Sequence, residues 1–327
     1  MRVSTSQIFN SGTIGMQNRQ YDLYKTMNQL STGRRILTPE DDPIGAAQAL
    51  EVSQSKGVNK QYLDNQSYAT SKLNLLDSTL NGVEEELQAI YERAVQAGNG
   101  TYSDSQRGMI AEELKRRLES MVSLANTQDG TGLYVFSGFK STTKPFVAND
   151  GSAPAPYTGA TQPYALGNGT SIAYVGDAGK EALQVSGSQV MATSENGIDV
   201  FMQVRDAQGN LTGRSMFDSL KNMIEILDPS DAVPFSTAAY GQALDDVSSS
   251  IAHLSTVRAS VGARMQSLQS LSSTAEDIGY HYDTRLSELQ DLDYTDAISK
   301  LSRYQLQLEA AQKSFSQVSQ LSLFNIL

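Results

Sequence analysis

The stretch ATSKLNLLDSTLNGVEEELQAIYERAVQAGNG, residues 69–100, decides the fold class. Its apolar positions are Ala69, Leu73, Leu76, Leu80, Val83, Leu87, Ile90, Ala94 and Ala97, in alternating steps of four and three. A half-buried strand would alternate every second residue. This spacing instead places one narrow apolar stripe on a long helix, the pattern of a coiled-coil seam sustained over about four heptads. The run closes at Ala97-Gly98-Asn99-Gly100, where glycine can adopt a left-handed C-terminal cap.

The same period recurs downstream. A second seam runs Tyr240, Leu244, Val247, Ile251, Leu254, Val261, Met265 and Leu268, and continues through Ala275, Gly279, Tyr282, Leu286 and Leu289. Shorter helices fit 105–127 (Ile110, Leu114, Leu118, Met121 and Ala125 on one face) and 215–227 (Phe217, Leu220, Ile224, Leu227). The zone between the helical segments differs. Residues 129–213 hold 13 of the 25 Gly and four of the eight Pro. They carry the turn dipeptides Asp150-Gly151, Asn168-Gly169, Asn196-Gly197 and Gly209-Asn210 around short runs at 133–136, 171–175 and 199–204. Such punctuation predicts a small antiparallel β domain. The fold class is therefore α+β, mainly α: an elongated coiled-coil or bundle rod built from both terminal segments, with the β domain inserted in its middle.

The two ends are unusually apolar. Met16, Leu23, Met27 and Leu30 form one stripe, flanked by Ile14, Tyr21 and Tyr24, in a helix that should stop at Ser31-Thr32-Gly33. Tyr294, Ala297, Leu301, Tyr304, Leu308, Ala311, Phe315 and Val318 keep three-four alternation, and the sequence finishes QLSLFNIL. The simplest reading is that the end helices bury each other. A two-helix coil is thin, however, and Ile14, Tyr21 and Tyr24 widen the face beyond one seam. Each large apolar side chain contributes roughly 1.5–3 kcal/mol when fully buried, so wet stripes of this size favour association. An assembly interface is expected at Ile14, Tyr21, Leu23, Tyr24, Met27, Leu30, Leu301, Tyr304, Leu308, Phe315, Val318, Leu321, Leu323, Phe324 and Leu327. The organisation that follows is terminal coiled-coil assembly segments at 1–40 and 290–327, a helical shaft at 41–138 and 214–289, and an outer β domain at 139–213.

Signs of catalytic chemistry are sparse. The 327 residues include no Cys and no Trp, which removes disulfides, thiolate metal sites and a cysteine nucleophile. The two histidines, His253 and His281, have no metal-binding spacing, and His253 reads as a helix-surface residue. Phosphate loops and nucleophile elbows are absent. Asp41-Asp42 stands in Thr38-Pro-Glu-Asp-Asp-Pro43, before a helical run, and reads as a helix cap. Glu84-Glu-Glu86 reads as a solvated helix face, and Arg34-Arg35 as cations at a helix C-terminus, with an intersubunit ion pair as the alternative. No cofactor and no metal are expected. A net charge of −11 argues against nucleic-acid binding and against docking on anionic lipid. No stretch approaches the ~18 apolar residues of a membrane span, which disfavours a receptor-like signalling coiled coil. The amino end lacks the apolar core of a cleavable signal peptide. A hydrolase in 140–213 would have to work there without His or Cys.

Several motifs at both ends point further. They are Met1-Arg-Val-Ser-Thr-Ser-Gln-Ile-Phe9, Leu30-Ser-Thr-Gly-Arg-Arg-Ile36, Pro39-Glu-Asp-Asp-Pro-Ile-Gly-Ala-Ala47 and Gly132-Leu-Tyr-Val-Phe-Ser-Gly138, then Val261-Gly-Ala-Arg-Met265, Leu289-Gln-Asp-Leu-Asp-Tyr-Thr-Asp-Ala-Ile298 and Leu321-Ser-Leu-Phe-Asn-Ile-Leu327. Together they resemble the bacterial flagellin-like axial proteins, and within them the hook–filament junction members. Flagellin, the filament subunit, is the alternative. Flagellins usually have Asn-Thr-Asn near the start, where this chain has Arg2-Val-Ser-Thr5. They commonly have Asp-Asp-Ala-Ala-Gly, where this chain has Asp41-Asp-Pro-Ile-Gly45, and their ends typically read Leu-Ser-Leu-Leu-Arg. The resemblance implies a structural, non-enzymatic subunit of the bacterial flagellum, extracellular and exported through the flagellar type III apparatus without a cleaved signal. It implies hook-associated protein 1 and flagellin as axial neighbours and self-association in a helical ring. It also implies a flagellar export chaperone that masks Leu301, Leu308, Phe315, Val318 and Leu321 before assembly.

Overall fold

The computed structural model describes residues 5–99, 102–148, 172–212, 214–229 and 236–324. Helices α1 (Thr5–Thr32), α2 (Pro43–Ala97) and α3 (Asp104–Ala125) precede strands β1 (Phe146–Ala148), β2 (Ile172–Tyr174), β3 (Ala182–Gln184) and β4 (Val190–Ala192). A π-helical turn (Ile198–Met202) follows, then α4 (Met216–Leu227), α5 (Thr237–Gln290) and α6 (Tyr294–Phe324). The chain forms two compact units, one of Met1–Lys60 with Ala275–Leu327 and one of Gln61–Thr274.

In the unit Gln61–Thr274 the seam read from the sequence is the core. Every seam residue of α2 from Ala69 to Ala97 is buried, as are Tyr240, Val247, Leu254, Val261 and Leu268 of α5. Leu244, Ile251 and Met265 pack against this core from its edge. Helix α3 starts with a capping box in which the Ser103 hydroxyl accepts from the Gln106 N–H and the Gln106 side chain accepts from the Ser103 N–H. Ser215 caps α4 in the same way, accepting from the Asp218 N–H.

Three local readings are corrected. Gly98 follows α2 without a positive φ, and Gly100, the other glycine of that stop, lies outside the described residues. Gly98 is needed for close approach, because a Cβ there would lie 2.6 Å from the Tyr240 ring, whose hydroxyl donates to the Ala94 carbonyl. Glu84 and Glu86 do not form a merely solvated face. Glu84 pairs with Arg258 of α5, and Glu86 pairs with Arg117 of α3 at 3.0 Å, so both tie neighbouring helices to α2. His253 is a buried residue, not a surface one, and its Nε2 lies 2.8 Å from the Asp199 carbonyl oxygen.

Among its described residues the inserted zone has two separate antiparallel pairs. In one, β1 pairs with β2 (Phe146↔Tyr174); in the other, β3 pairs with β4 (Leu183↔Met191). Of the three expected strand runs, 171–175 contains β2, whereas 133–136 makes one isolated bridge, Tyr134 to Gln128, and then turns, and 199–204 falls largely in the π-helical turn. The reason lies in burial. Ile198, Val200, Phe201 and Met202 are all buried, an arrangement a strand with one solvent-facing side cannot reach. Asn196 starts the turn by accepting from the Asp199 N–H at 2.9 Å. Phe201 then joins Phe136, Phe146 and Phe217 with centroid distances of 5.1, 5.2 and 5.5 Å, so the insertion and the helices share one apolar cluster. Gly209, with φ +85°, turns the Arg205↔Leu211 bridge as its dipeptide implied. Asp150-Gly151 and Asn168-Gly169 lie outside the described residues.

Candidate assembly surface of the terminal helices

In the unit Met1–Lys60 with Ala275–Leu327, α1 packs along α6. The Phe9 and Phe315 rings lie 4.9 Å apart. Gly12 makes room for the second ring, since a Cβ there would sit 2.7 Å from Phe315 Cδ2. Met16, Leu23 and Leu30 of α1 are half-buried, as are Leu301, Tyr304, Leu308, Ala311 and Phe315 of α6. The end helices thus do cover each other, but thinly.

The flanking residues behave differently: Ile14, Tyr21 and Tyr24 are 57%, 65% and 58% exposed. Met27, read as part of the stripe, is corrected: it is 48% exposed and joins them. At 100° per residue they form a band that winds around α1 away from the seam. Helix α6 adds exposed Ile298 and Leu306, which the sequence reading did not single out. Ile298 follows the seam residue Ala297 directly, and a search for apolar residues one step off the seam would have found it. Leu327 lies outside the described residues, as do the side chains of Val318, Leu321, Leu323 and Phe324.

The turns that set the pairing of these helices explain the charged motifs. Gly33, at φ +69°, ends α1 in the left-handed region, and its N–H donates to the Gln29 carbonyl at 2.8 Å. Its carbonyl accepts from the Leu292 N–H at 3.0 Å, and the Arg35 N–H donates to the Gln290 carbonyl at 2.7 Å. The α1–α2 connection is therefore stitched to the α5–α6 connection through an Arg34↔Asp291 bridge. Arg35 spans both: its guanidinium donates to the Leu289 carbonyl at 2.8 Å and pairs with Asp42 at 3.1 Å. Within this chain Arg35 thus has two intramolecular partners, one on each connection.

Asp42 caps α2 as expected, accepting from the Gly45 N–H at 2.9 Å with Pro43 as the first helical residue. Asp41 instead organises the preceding turn. It accepts from the Leu37 and Thr38 N–H groups at 2.9 and 3.1 Å and pairs with Lys25 of α1 at 2.6 Å. The Lys25 hydrogen bond, with help from the two backbone donors and against the effect of burial, holds the Asp41 carboxyl down at about 2, while Lys25 is raised by the same bond. A carboxylate with a depressed folded-state pKa contributes stability above its ordinary value near 3.8 and loses it as pH falls toward 2. Asp41→Asn is therefore expected to flatten the acid limb of this unit between about pH 4 and 2. Its effect at neutral pH should be that of a surface pair, about 0.2–1 kcal/mol. Hydrogen exchange of residues 25–45 against pH checks this; an unchanged acid limb in the variant would show the pair to be idle.

Among the described residues, no group of three or more His, Cys, Asp or Glu side chains is placed to hold a metal ion, and no helix is long and apolar enough to cross a membrane. The features of this unit are a stitched helix pair and an exposed apolar band.

Comparison with known proteins places this framework. Residues 3–141 match the bacterial flagellin N-terminal helical region, and residues 244–327 match the bacterial flagellin C-terminal helical region. The chain is 31% identical over 336 residues to flagellar hook-associated protein 3 of Escherichia coli (strain K12), covering 100% of this chain and 99% of that protein. To a flagellin of Salmonella montevideo it is 30% identical over 204 residues, covering 58% of this chain and 40% of that flagellin. The solved structure of flagellar hook associated protein-3 from Legionella pneumophila shares the fold, with a TM-score of 0.61 at 20% identity, covering 73% of this chain and 98% of that one. A flagellin-like helical framework at both ends, with 31% identity to hook-associated protein 3 over the whole chain, leads to one assignment: the chain belongs to the flagellar hook-associated protein 3 family.

Proposed function

We propose that this chain is the adaptor at the junction of hook and filament, contacting hook-associated protein 1 on one axial side and flagellin on the other. The observation that carries the reading is the span of its likeness together with its degree. Hook-associated protein 3 is matched at 31% identity over 99% of its length, whereas the Salmonella montevideo flagellin is matched over 40% of its own and the flagellar filament 41 kDa core protein of Borreliella burgdorferi at 24% identity over 91% of its own. An adaptor needs two different axial faces, hence a heterologous, head-to-tail contact that closes into a ring. The exposed band Ile14, Tyr21, Tyr24 and Met27, with Leu23, Leu30, Leu301, Tyr304, Leu308 and Phe315 beneath or beside it, supports an assembly role for the terminal segments. Val318, Leu321, Leu323, Phe324 and Leu327 are assigned to the same role from their apolar pattern.

In this reading residues 1–40 and 290–327 are the assembly segments, 41–138 and 214–289 the shaft, and 139–213 an outer, solvent-facing domain. The protein has no catalytic task, in keeping with its structural relatives. It leaves the cell through the flagellar type III route, held beforehand by an export chaperone on its carboxyl-terminal helix. Deleting the gene is expected to give bare hooks with monomeric flagellin spilled into the medium. Loss of filaments with no other flagellin in cell or medium would make the chain the filament subunit instead, and normal filaments would overturn any junction role.

A further inference from the structure

A cleft of about 340 Å³ in the unit Gln61–Thr274 lies between α5 and the inserted zone. Lys180, Glu195, Asp199, Gln203, Arg205 and His253 line it. His253 is 8% exposed, although it stands on a helix whose sequence suggested an outward histidine. Its Nε2 faces the carbonyl oxygen of Asp199 at 2.8 Å. A carbonyl can only accept, so Nε2 carries the hydrogen and the neutral imidazole donates. Asp199 lies in the π-helical turn whose Val200, Phe201 and Met202 fill the apolar cluster. The imidazole therefore fastens the chain segment that delivers those side chains onto α5.

The surrounding charges are already committed. From the inserted zone, Lys180 bridges Glu195 and Asp199 at 2.7 and 2.8 Å, and Arg205 adds a cation whose guanidinium donates to the Gly209 carbonyl at 2.9 Å. From α5, Arg264 pairs with Glu195. One heptad before His253 on the same helix, Asp246 faces Arg214 at 3.0 Å. Around the cleft stand three cations, Lys180, Arg205 and Arg264, and two carboxylates, Glu195 and Asp199. A proton on the remaining imidazole nitrogen would leave the Nε2–H donor in place but add a fourth positive charge on a ring that is itself buried, and the cost of burying that charge is what opposes the clip.

We propose that His253 is an acid-sensitive clip that holds the π-helical turn on α5 when neutral and releases it when protonated. Burial first, and Arg205 second, disfavour the charged ring, while the Asp199 carbonyl and carboxylate oppose them; the balance lies below the ordinary histidine range. For a base shifted in that direction the clip is complete above the unfolded-state value near 6.5 and weakens as pH falls below it. The change is local: it loosens residues 196–205 and leaves the helical seams in place.

The test is hydrogen exchange of the full chain from pH 7.5 to 5.0, corrected for intrinsic exchange chemistry. In the wild type, the opening equilibrium of 198–204 is expected to rise as pH falls below about 6.5, by up to tenfold per pH unit for one proton. His253→Gln keeps an amide donor within reach of Asp199 and cannot titrate, so its opening is expected to be flat over the same range. A wild-type opening independent of pH, or the same pH dependence in His253→Gln, would overturn the proposal. Should the variant fail to fold, imidazole NMR of the wild type decides. The chain has two histidines, so His281→Gln assigns the signals. The proposal requires the His253 ring to titrate below a free histidine derivative in the same tube, together with shifts of Val200 and Phe201. Titration level with the free derivative would sink it.

Discussion

Phe201→Ala is expected to lower the stability of the unit Gln61–Thr274 by about 3–5 kcal/mol, the range for removing a fully buried aromatic ring. Phe201 has no exposed surface, and its ring meets Phe136, Phe146 and Phe217 within 5.5 Å. Those partners come from the turn after α3, from β1 and from α4, so the cavity left by the ring would open where three segments converge. The size of the effect carries the structural question. Were the inserted zone an independent module, losing Phe201 would melt that module and spare the helices. The apolar cluster instead runs without interruption from Leu73 and Leu87 of α2 through Phe201 to Val247 and Leu268 of α5. One cooperative transition is therefore expected, with its denaturant midpoint lowered and its slope unchanged. Phe139→Ala is the control: that ring is 68% exposed, and its removal should change stability by no more than about 0.5 kcal/mol. A loss below about 1 kcal/mol for Phe201→Ala, or two separated transitions, would show that the insertion does not share the helical core.

What could be read from the sequence follows the range of the forces involved. The seams at 69–97 and 240–268 are periodic over many turns, so each residue repeats the same information, and the observed burial follows them. The stops at Gly33 and Ala97 and the cap at Asp42 were equally legible, because capping acts over three or four residues. Residues 199–204 failed for want of length. A six-residue run with four apolar residues suits either period, and the signal that favoured a helical turn was the Asn196-to-Asp199 spacing of a cap. Glu84, Glu86 and His253 failed for another reason. Their partners, Arg258, Arg117 and Asp199, lie 174, 31 and 54 residues away, and no local pattern reports them. At the termini the seam was legible and so was its excess width on α1. The role of Arg35 was not, since its acceptor is the Leu289 carbonyl at the far end of the chain.

The excess width leads to the second large effect. Tyr21→Asp combined with Tyr24→Asp is expected to leave the isolated chain as stable as the wild type within about 0.5 kcal/mol, because both side chains are mostly exposed in it. Incorporation into flagella should nevertheless be lost. If each ring is covered in the assembly, its burial contributes roughly 1.5–3 kcal/mol, so the pair removes about 3–6 kcal/mol per subunit contact. At about 1.4 kcal/mol per factor of ten, that is a hundredfold or more in the contact's equilibrium constant. The introduced carboxylates add the cost of burying charge without a partner. The asymmetry between an unchanged monomer and a failed assembly separates this face from the seam. Substituting Leu23 or Leu308 would disturb both, since those side chains are already half-buried between α1 and α6. Tyr21→Phe with Tyr24→Phe retains the apolar surface and should restore incorporation. The measurement is complementation of a strain lacking the gene, scored by electron microscopy and by flagellin released into the medium, with export of the variant verified in the same culture. An exported double-Asp variant that supports normal filaments would place the assembly contacts elsewhere, and the exposed band of α1 would then need a different explanation.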